Sequence, residues 1–160
     1  MNRYNRHIIL SDVGQEGQEK LLQAKVLVVG AGGLGCPVLQ YLTAVGIGTL
    51  GIIDFDVVEE SNLQRQVLFG TSSLGTNKAI AAKNRLEDLN PTITINTYPE
   101  KLTAKNALEL FKDEECQFHL LNTYTPLIFQ LEYTTAGGVN YELVDTMKNS
   151  SEKGLKKLMI

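Results

Sequence analysis

Cysteine is scarce in this chain: Cys36 and Cys116 are the only two, and they form no C-x-x-C pair. That argues against a disulfide framework and against a self-contained cysteine zinc site. A basic surplus is also missing. The formal net charge is -3, so no positive field points to nucleic acid or to an anionic membrane surface. No apolar run approaches the ~20 residues of a membrane span. The opening stretch MNRYNRHIIL is short and arginine-bearing and lacks the apolar core of a secretory signal. Internal repeats and low-complexity tracts are absent. What remains is 43% hydrophobic and 21% charged over 160 residues. That is the composition of a globular domain long enough to bury a core, with the cytoplasm as the expected location.

The stretch 25–56, KVLVVGAGGLGCPVLQYLTAVGIGTLGIIDFD, organises the rest. Residues 26–29 are an apolar β-branched run suited to a buried strand. Gly30, Gly32 and Gly35 follow as G-x-G-x-x-G, with Gly33 as an extra glycine. Residues 36–45 have helix-compatible apolar positions, and 50–53 form a second buried strand ending on Asp54. Strand, glycine turn, helix, strand and acid in this order are the context of a dinucleotide fingerprint. The glycines let backbone approach a phosphate, and the helix N-terminus offers it N–H groups and a positive dipole end. Asp54 stands where a carboxylate can accept hydrogen bonds from ribose hydroxyls. The alternative is a glycine turn that serves only helix–sheet packing.

Upstream, residues 15–22 read as a helix with Leu21 and Leu22 toward the core. Arg3, Tyr4, Arg6 and His7 read, in isolation, as a solvated arm. Downstream, DFDVVEESNLQRQVLF at 54–69 lies at the carboxyl edge of the sheet, where open α/β folds bind ligands. Residues 77–89 form an amphipathic helix with Ile80, Ala81 and Leu86 on its core face. Lys78 falls in its first turn, unfavourable to the helix dipole unless an anion is near. Asn90 and Pro91 end the helix. Residues 92–97 alternate as a third strand, 104–111 form a short helix, and 116–121 a fourth strand. The repeated β-α-β order predicts an α/β, Rossmann-like, mostly parallel sheet with helices on both faces.

RYNRHIIL, VVGAGGLGCPVLQYLTAVGIG, DFDVVEESNLQRQVLF and GTNK occur collinearly between residues 3 and 78. Together they resemble the adenylation domain shared by MoeB, ThiF and the ubiquitin-activating enzymes, over roughly residues 3–111. The resemblance implies an enzyme that binds MgATP and adenylates the C-terminal glycine carboxylate of a ubiquitin-fold sulfur-carrier protein, releasing pyrophosphate. It implies that Gly30, Gly32, Gly33 and Gly35 hold phosphates and that Asp54 binds ribose, with Asp56 beside it in the nucleotide site. Asn62, Arg65 and Gln66 would line the triphosphate site, and Lys78 would complete its cationic clamp. Arg6 would reach the ATP site of a second subunit in a homodimer. Arg65, Lys78 and Arg6 are then the expected catalytic residues. The nucleophile is already ionised, so the reaction needs charge neutralisation by Mg²⁺, Arg and Lys more than a general base.

The resemblance divides the chain into an ATP-binding adenylation domain at 1–121, with an arm at 1–24, and a divergent tail at 122–160. Relatives place a magnesium-holding aspartate after the fourth strand, where this chain reads LNTYT at 121–125. No metal ligand is therefore assigned. The expectation is a truncated member that binds ATP without efficient turnover. Two other readings stay open: a non-catalytic nucleotide-binding or dimerisation module, and an NAD-dependent oxidoreductase, against which the NLQRQ block and Lys78 have no role with a diphosphate cofactor. Cys36, Cys116, His7 and His119 are read as structural.

Overall fold

The computed structural model describes residues 3–103, 106 and 119–122, the last four through their backbone. Four strands, β1 (Lys25–Val29), β2 (Thr49–Ile53), β3 (Thr94–Tyr98) and β4 (His119–Asn122), form one sheet in the order β3-β2-β1-β4. Every pairing is parallel, with Val28 opposite Ile52 and Leu121. Strand order turns back at β1, as in doubly wound Rossmann-like α/β sheets.

The strands alternate their side chains between two buried faces. Val26, Val28, Leu50, Ile52 and Ile95 share one core with Cys36 and Leu39 of α3 (Gly35–Val45) and with Ala79, Ala82 and Leu86 of α4 (Lys78–Leu89). The intervening Leu27, Val29 and Ile53 are buried as well. Apolar runs buried on both faces are the mark of parallel strands. Pro37 sits in the first turn of α3, where no helical hydrogen bond is lost. The helix expected at 104–111 and the tail at 122–160 lie outside the described residues, apart from the positions named above. Among the described residues no helix is long and apolar enough to cross a membrane.

The amino edge of the sheet corrects the solvated-arm expectation. Tyr4 is buried. Asn90 Nδ2 donates to its hydroxyl at 2.9 Å, and the hydroxyl shares a 3.2 Å hydrogen bond with Thr92 Oγ1. Arg3 donates to Leu89 O at 2.9 Å. Behind Tyr4 the chain forms a short α1 (Asn5–Ile8) and then α2 (Gly14–Gln23). His7 is hydrogen-bonded to Gln18, and buried Gln18 donates to Val45 O at the end of α3. Gly48 passes so close to α2 that a Cβ there would overlap the Leu22 carbonyl oxygen. Two side chains expected in the core face outward instead: Leu22 and Ile80 are each 40% exposed. On α4 the core face is supplied by alanines and Leu86, so Ile80 is not needed there.

Candidate functional site

β1 delivers the glycine turn to the carboxyl edge of the sheet. Gly30 donates its N–H to Ile53 O at 2.9 Å and turns with φ +91°, a conformation glycine adopts without strain. Asp54, at the end of β2, fastens this turn. Its Oδ2 accepts from Ala31 N at 2.7 Å and its Oδ1 from Asp56 N at 2.9 Å. Burial pushes its carboxyl above the usual carboxylate range, against the opposing pull of those two amides and of Lys78. α3 begins after the turn with no side-chain cap on its first N–H groups. α4 is capped, by Asn77, whose Oδ1 accepts from Ala79 N and Ile80 N. An uncapped helix start beside a glycine turn leaves donors for an anion.

Residues 57–69 fold across the turn. Glu59 and Asn62 form a reciprocal cap around the 3-10 turn Glu60–Asn62. This seats Arg65 and Gln66 over the glycines: a Cβ on Gly33 would lie 3.6 Å from Arg65 Cγ, and one on Gly32 3.9 Å from Gln66 Nε2. Arg65 Nη1 donates to Ser61 O at 3.1 Å. Gln66 is 4% exposed, and its Oε1 has no hydrogen-bond partner. Such an orphan acceptor is costly unless a ligand or water meets it.

Lys78 is 6% exposed at the start of α4. Its Nζ lies 3.2 Å from Asp56 Oδ2. The anion that a lysine in a first helical turn calls for is therefore present within the chain. Asn77 Nδ2 donates to the carbonyls of Asp54 and Asp56, and Lys78 N donates to Asp56 O, so α4 is stitched to the end of β2.

These elements enclose a cavity of about 370 Å³ lined by Gly32, Asp54, Asp56, Val57, Glu59, Asn62, Arg65, Gln66 and Lys78. The volume falls within the range of small-molecule sites. Of the expected residues it gathers Gly32, Asp54, Asp56, Asn62, Arg65, Gln66 and Lys78. Gly30, Gly33 and Gly35 shape the turn without lining the cavity. Arg6 is exposed on α1 and does not line it; Tyr4 pins that segment at the opposite edge of the sheet. Val57 and Glu59 were not expected. Both lie within the 54–69 stretch expected at the carboxyl edge; Glu59 offers a carboxylate there, whereas Val57 carries no chemical signal. Among the described residues no group of three His, Cys, Asp or Glu is placed to hold a metal ion. Cys36 is fully buried, and burial pushes its thiol above the usual value, which keeps it protonated and inert.

The architecture defines a Rossmann-like α/β domain with a polar, cation-bearing cavity at the carboxyl edge of its strands, the position at which this class of fold binds ligands. The chain belongs to the ThiF family, which it matches over residues 4–121. It is 54% identical over 112 residues to a sulfur carrier protein adenylyltransferase of Thermus thermophilus, covering 70% of this chain and 41% of that protein. It is 43% identical over 157 residues to the adenylyltransferase and sulfurtransferase UBA4 of Vanderwaltozyma polyspora, covering 98% of this chain and 36% of that protein. The second alignment takes in nearly all of 122–160. Among solved structures, E. coli MccB with ATP superposes with a TM-score of 0.60 at 35% identity, over 68% of this chain and 33% of that one. The chain thus spans less than half the length of these relatives.

Proposed function

We propose that this chain is the nucleotide-binding portion of an adenylyltransferase that activates the C-terminal glycine carboxylate of a ubiquitin-fold sulfur-carrier protein with ATP. The observation that carries this reading is the convergence of Lys78, Arg65, Asn62 and Gln66 on a glycine turn at the uncapped start of α3. Family membership and the names of the relatives support it. In the reaction a carboxylate oxygen bonds to the α-phosphorus, the bond to the bridging oxygen breaks, and pyrophosphate leaves. Lys78 and Arg65 neutralise the developing phosphate charge, the glycine turn cradles phosphate, and Asp54 holds ribose. Three carboxylates and two cations line the cavity. A nucleotide that arrives as its Mg²⁺ complex suits that balance, and no step is assigned to a metal held by the protein.

Arg6 acts in this reading on the cavity of a second copy, in a homodimer. Sedimentation should show a dimer at micromolar protein. A clean monomer would leave Arg6 without a site.

Asn122 pairs in register with Val29, immediately before the glycine turn. The resemblance expects a carboxylate after this strand, so ATP binding with little adenylate formation is the proposed behaviour of the 160-residue chain. The test is nucleotide binding beside carrier-dependent ATP–pyrophosphate exchange. ATP binding with exchange far below that of a longer relative is expected. Exchange at a relative's rate would refute the proposed loss of turnover, and absence of ATP binding would refute the nucleotide reading itself.

A further inference from the structure

We propose that Asp56 is a positioning residue that holds Lys78 as a preorganised, charge-compensated cation and yields it to an incoming polyphosphate. The inference rests on the reading of the cavity as a polyphosphate site. It starts from an asymmetry within the ion pair. The Lys78 side chain is 8% exposed, whereas that of Asp56 is 41% exposed. A buried ammonium at the start of a helix is doubly unfavourable without an anion, because both desolvation and the helix dipole oppose it. It therefore must keep a partner. Asp56 has no such need: released from Lys78, its carboxylate rehydrates in place. The exchange of one anion for another thus leaves the buried partner paired throughout.

The backbone makes this exchange local. Asp56 O accepts from Lys78 N at 2.9 Å and from Asn77 Nδ2 at 3.1 Å. α4 is therefore held by the Asp56 carbonyl and not by its carboxylate. The carboxylate can let go without shifting the helix. Lys78 is already ordered when the ligand arrives, so the cost of fixing its long side chain has been met in folding. Asp56 in turn lowers the affinity that Lys78 could offer, since it competes for the same ammonium.

The test measures binding of inorganic tripolyphosphate, ATP and AMP in magnesium-free buffer to the wild type and to Asp56→Asn, Asp56→Glu, Lys78→Met and the Asp56→Asn/Lys78→Met double variant. Asp56→Asn should tighten tripolyphosphate and ATP by about fivefold, the upper range for releasing a partly exposed ion pair, and leave AMP nearly unchanged. Asp56→Glu, which keeps an anion, should stay near wild type. In the Lys78→Met background the gain should vanish. An unchanged or weaker affinity for tripolyphosphate in Asp56→Asn overturns the exchange, as does a gain shared equally by AMP or one that survives Lys78→Met. Wild-type ATP binding tighter than tripolyphosphate binding would, in those cases, leave the nucleotide reading intact. A tripolyphosphate gain without any advantage of ATP over tripolyphosphate supports the exchange and refutes the nucleotide reading. Binding of none of the three ligands refutes both.

Discussion

At the amino edge of the sheet, buried polar side chains satisfy one another; at the carboxyl edge, side chains of similar burial face a cavity. Asn90 is fully buried and uses its whole amide: Nδ2 donates to Tyr4 Oη and Thr43 O, and Oδ1 accepts from Thr92 N and Oγ1. Gln18 likewise bridges His7 and Val45 O. Thr43 Oγ1 is the exception at that end. Opposite, Gln66 and Lys78 line the cavity, and Lys78 is paired to a carboxylate that lines it too. Burial of a polar group is therefore not the mark of a site. What separates the two edges is whether its partners are closed around it or open to a ligand.

The largest expected effect lies at the closed edge. Gly48→Ala places a Cβ on the Leu22 carbonyl, and neither backbone segment can move without breaking the bonds from Gly48 N to Leu21 O and from Thr94 N to Gly48 O. A loss above ~4 kcal/mol is expected, read as failure to fold or as a collapsed urea midpoint. A near-wild-type midpoint would show that this edge is pliant. Asn90→Ala comes next. It leaves Thr92 N without its acceptor, takes one hydrogen bond each from Thr43 O and the Tyr4 hydroxyl, opens a void among buried groups, and should cost about 3 kcal/mol of stability. The ratio of ATP to AMP affinity should not change; a changed ratio would break the separation between the edges.

The same contrast explains what could be read from the chain. The central elements follow from periodicity. The strands expected at 26–29 and 50–53 are found one residue longer at their starts, and the helix expected at 77–89 begins at Lys78 with Asn77 as its cap. The strand expected at 92–97 is shifted to Thr94–Tyr98, because Thr92 is drawn into the Asn90 cluster. The glycine turn, Asp54 and the need of Lys78 for an anion were legible from residue type and position, whereas Asn62, Arg65 and Gln66 were expected only through the family resemblance. The amino edge was not. Tyr4 and Asn90 meet across 86 residues of chain, and such a contact has no local signature. The Lys78–Asp56 pair was half visible: the sequence showed that the lysine needs an anion, but not that the second acid of DFD supplies it.

At the open edge the expected effects are smaller and ligand-specific. Lys78→Met should weaken ATP by about tenfold or more, as loss of a charged hydrogen bond to phosphate does. Arg65→Ala should weaken it by about threefold, since Arg65 is exposed and screened. AMP should change little in either variant, and the urea midpoint should stay close to wild type for Arg65→Ala. Calorimetric titration with both nucleotides separates the outcomes. Equal losses for ATP and AMP would point to a distorted turn, and unchanged ATP affinity would remove the side chain from the site.

The smallest effect joins the two edges, because Asp54 is both buried like Asn90 and part of the cavity. Burial outweighs the Ala31 and Asp56 amides and raises its carboxyl above the ordinary value. The folded state therefore binds this proton more tightly than the unfolded chain. The resulting stability is fully present below the unfolded carboxylate value of about 3.9 and is lost as pH rises through the folded value. Asp54→Asn cannot titrate, and its amide oxygen can serve Ala31 N or Asp56 N but not both, so the variant should be less stable than wild type. Other carboxylates cancel in the difference between the two proteins. The wild type's advantage in urea stability should accordingly shrink from about pH 3.5 upward and then level off. An advantage that instead grew with pH would mean that the two amides outweigh burial and hold Asp54 ionised, as a fixed anion fastening the turn.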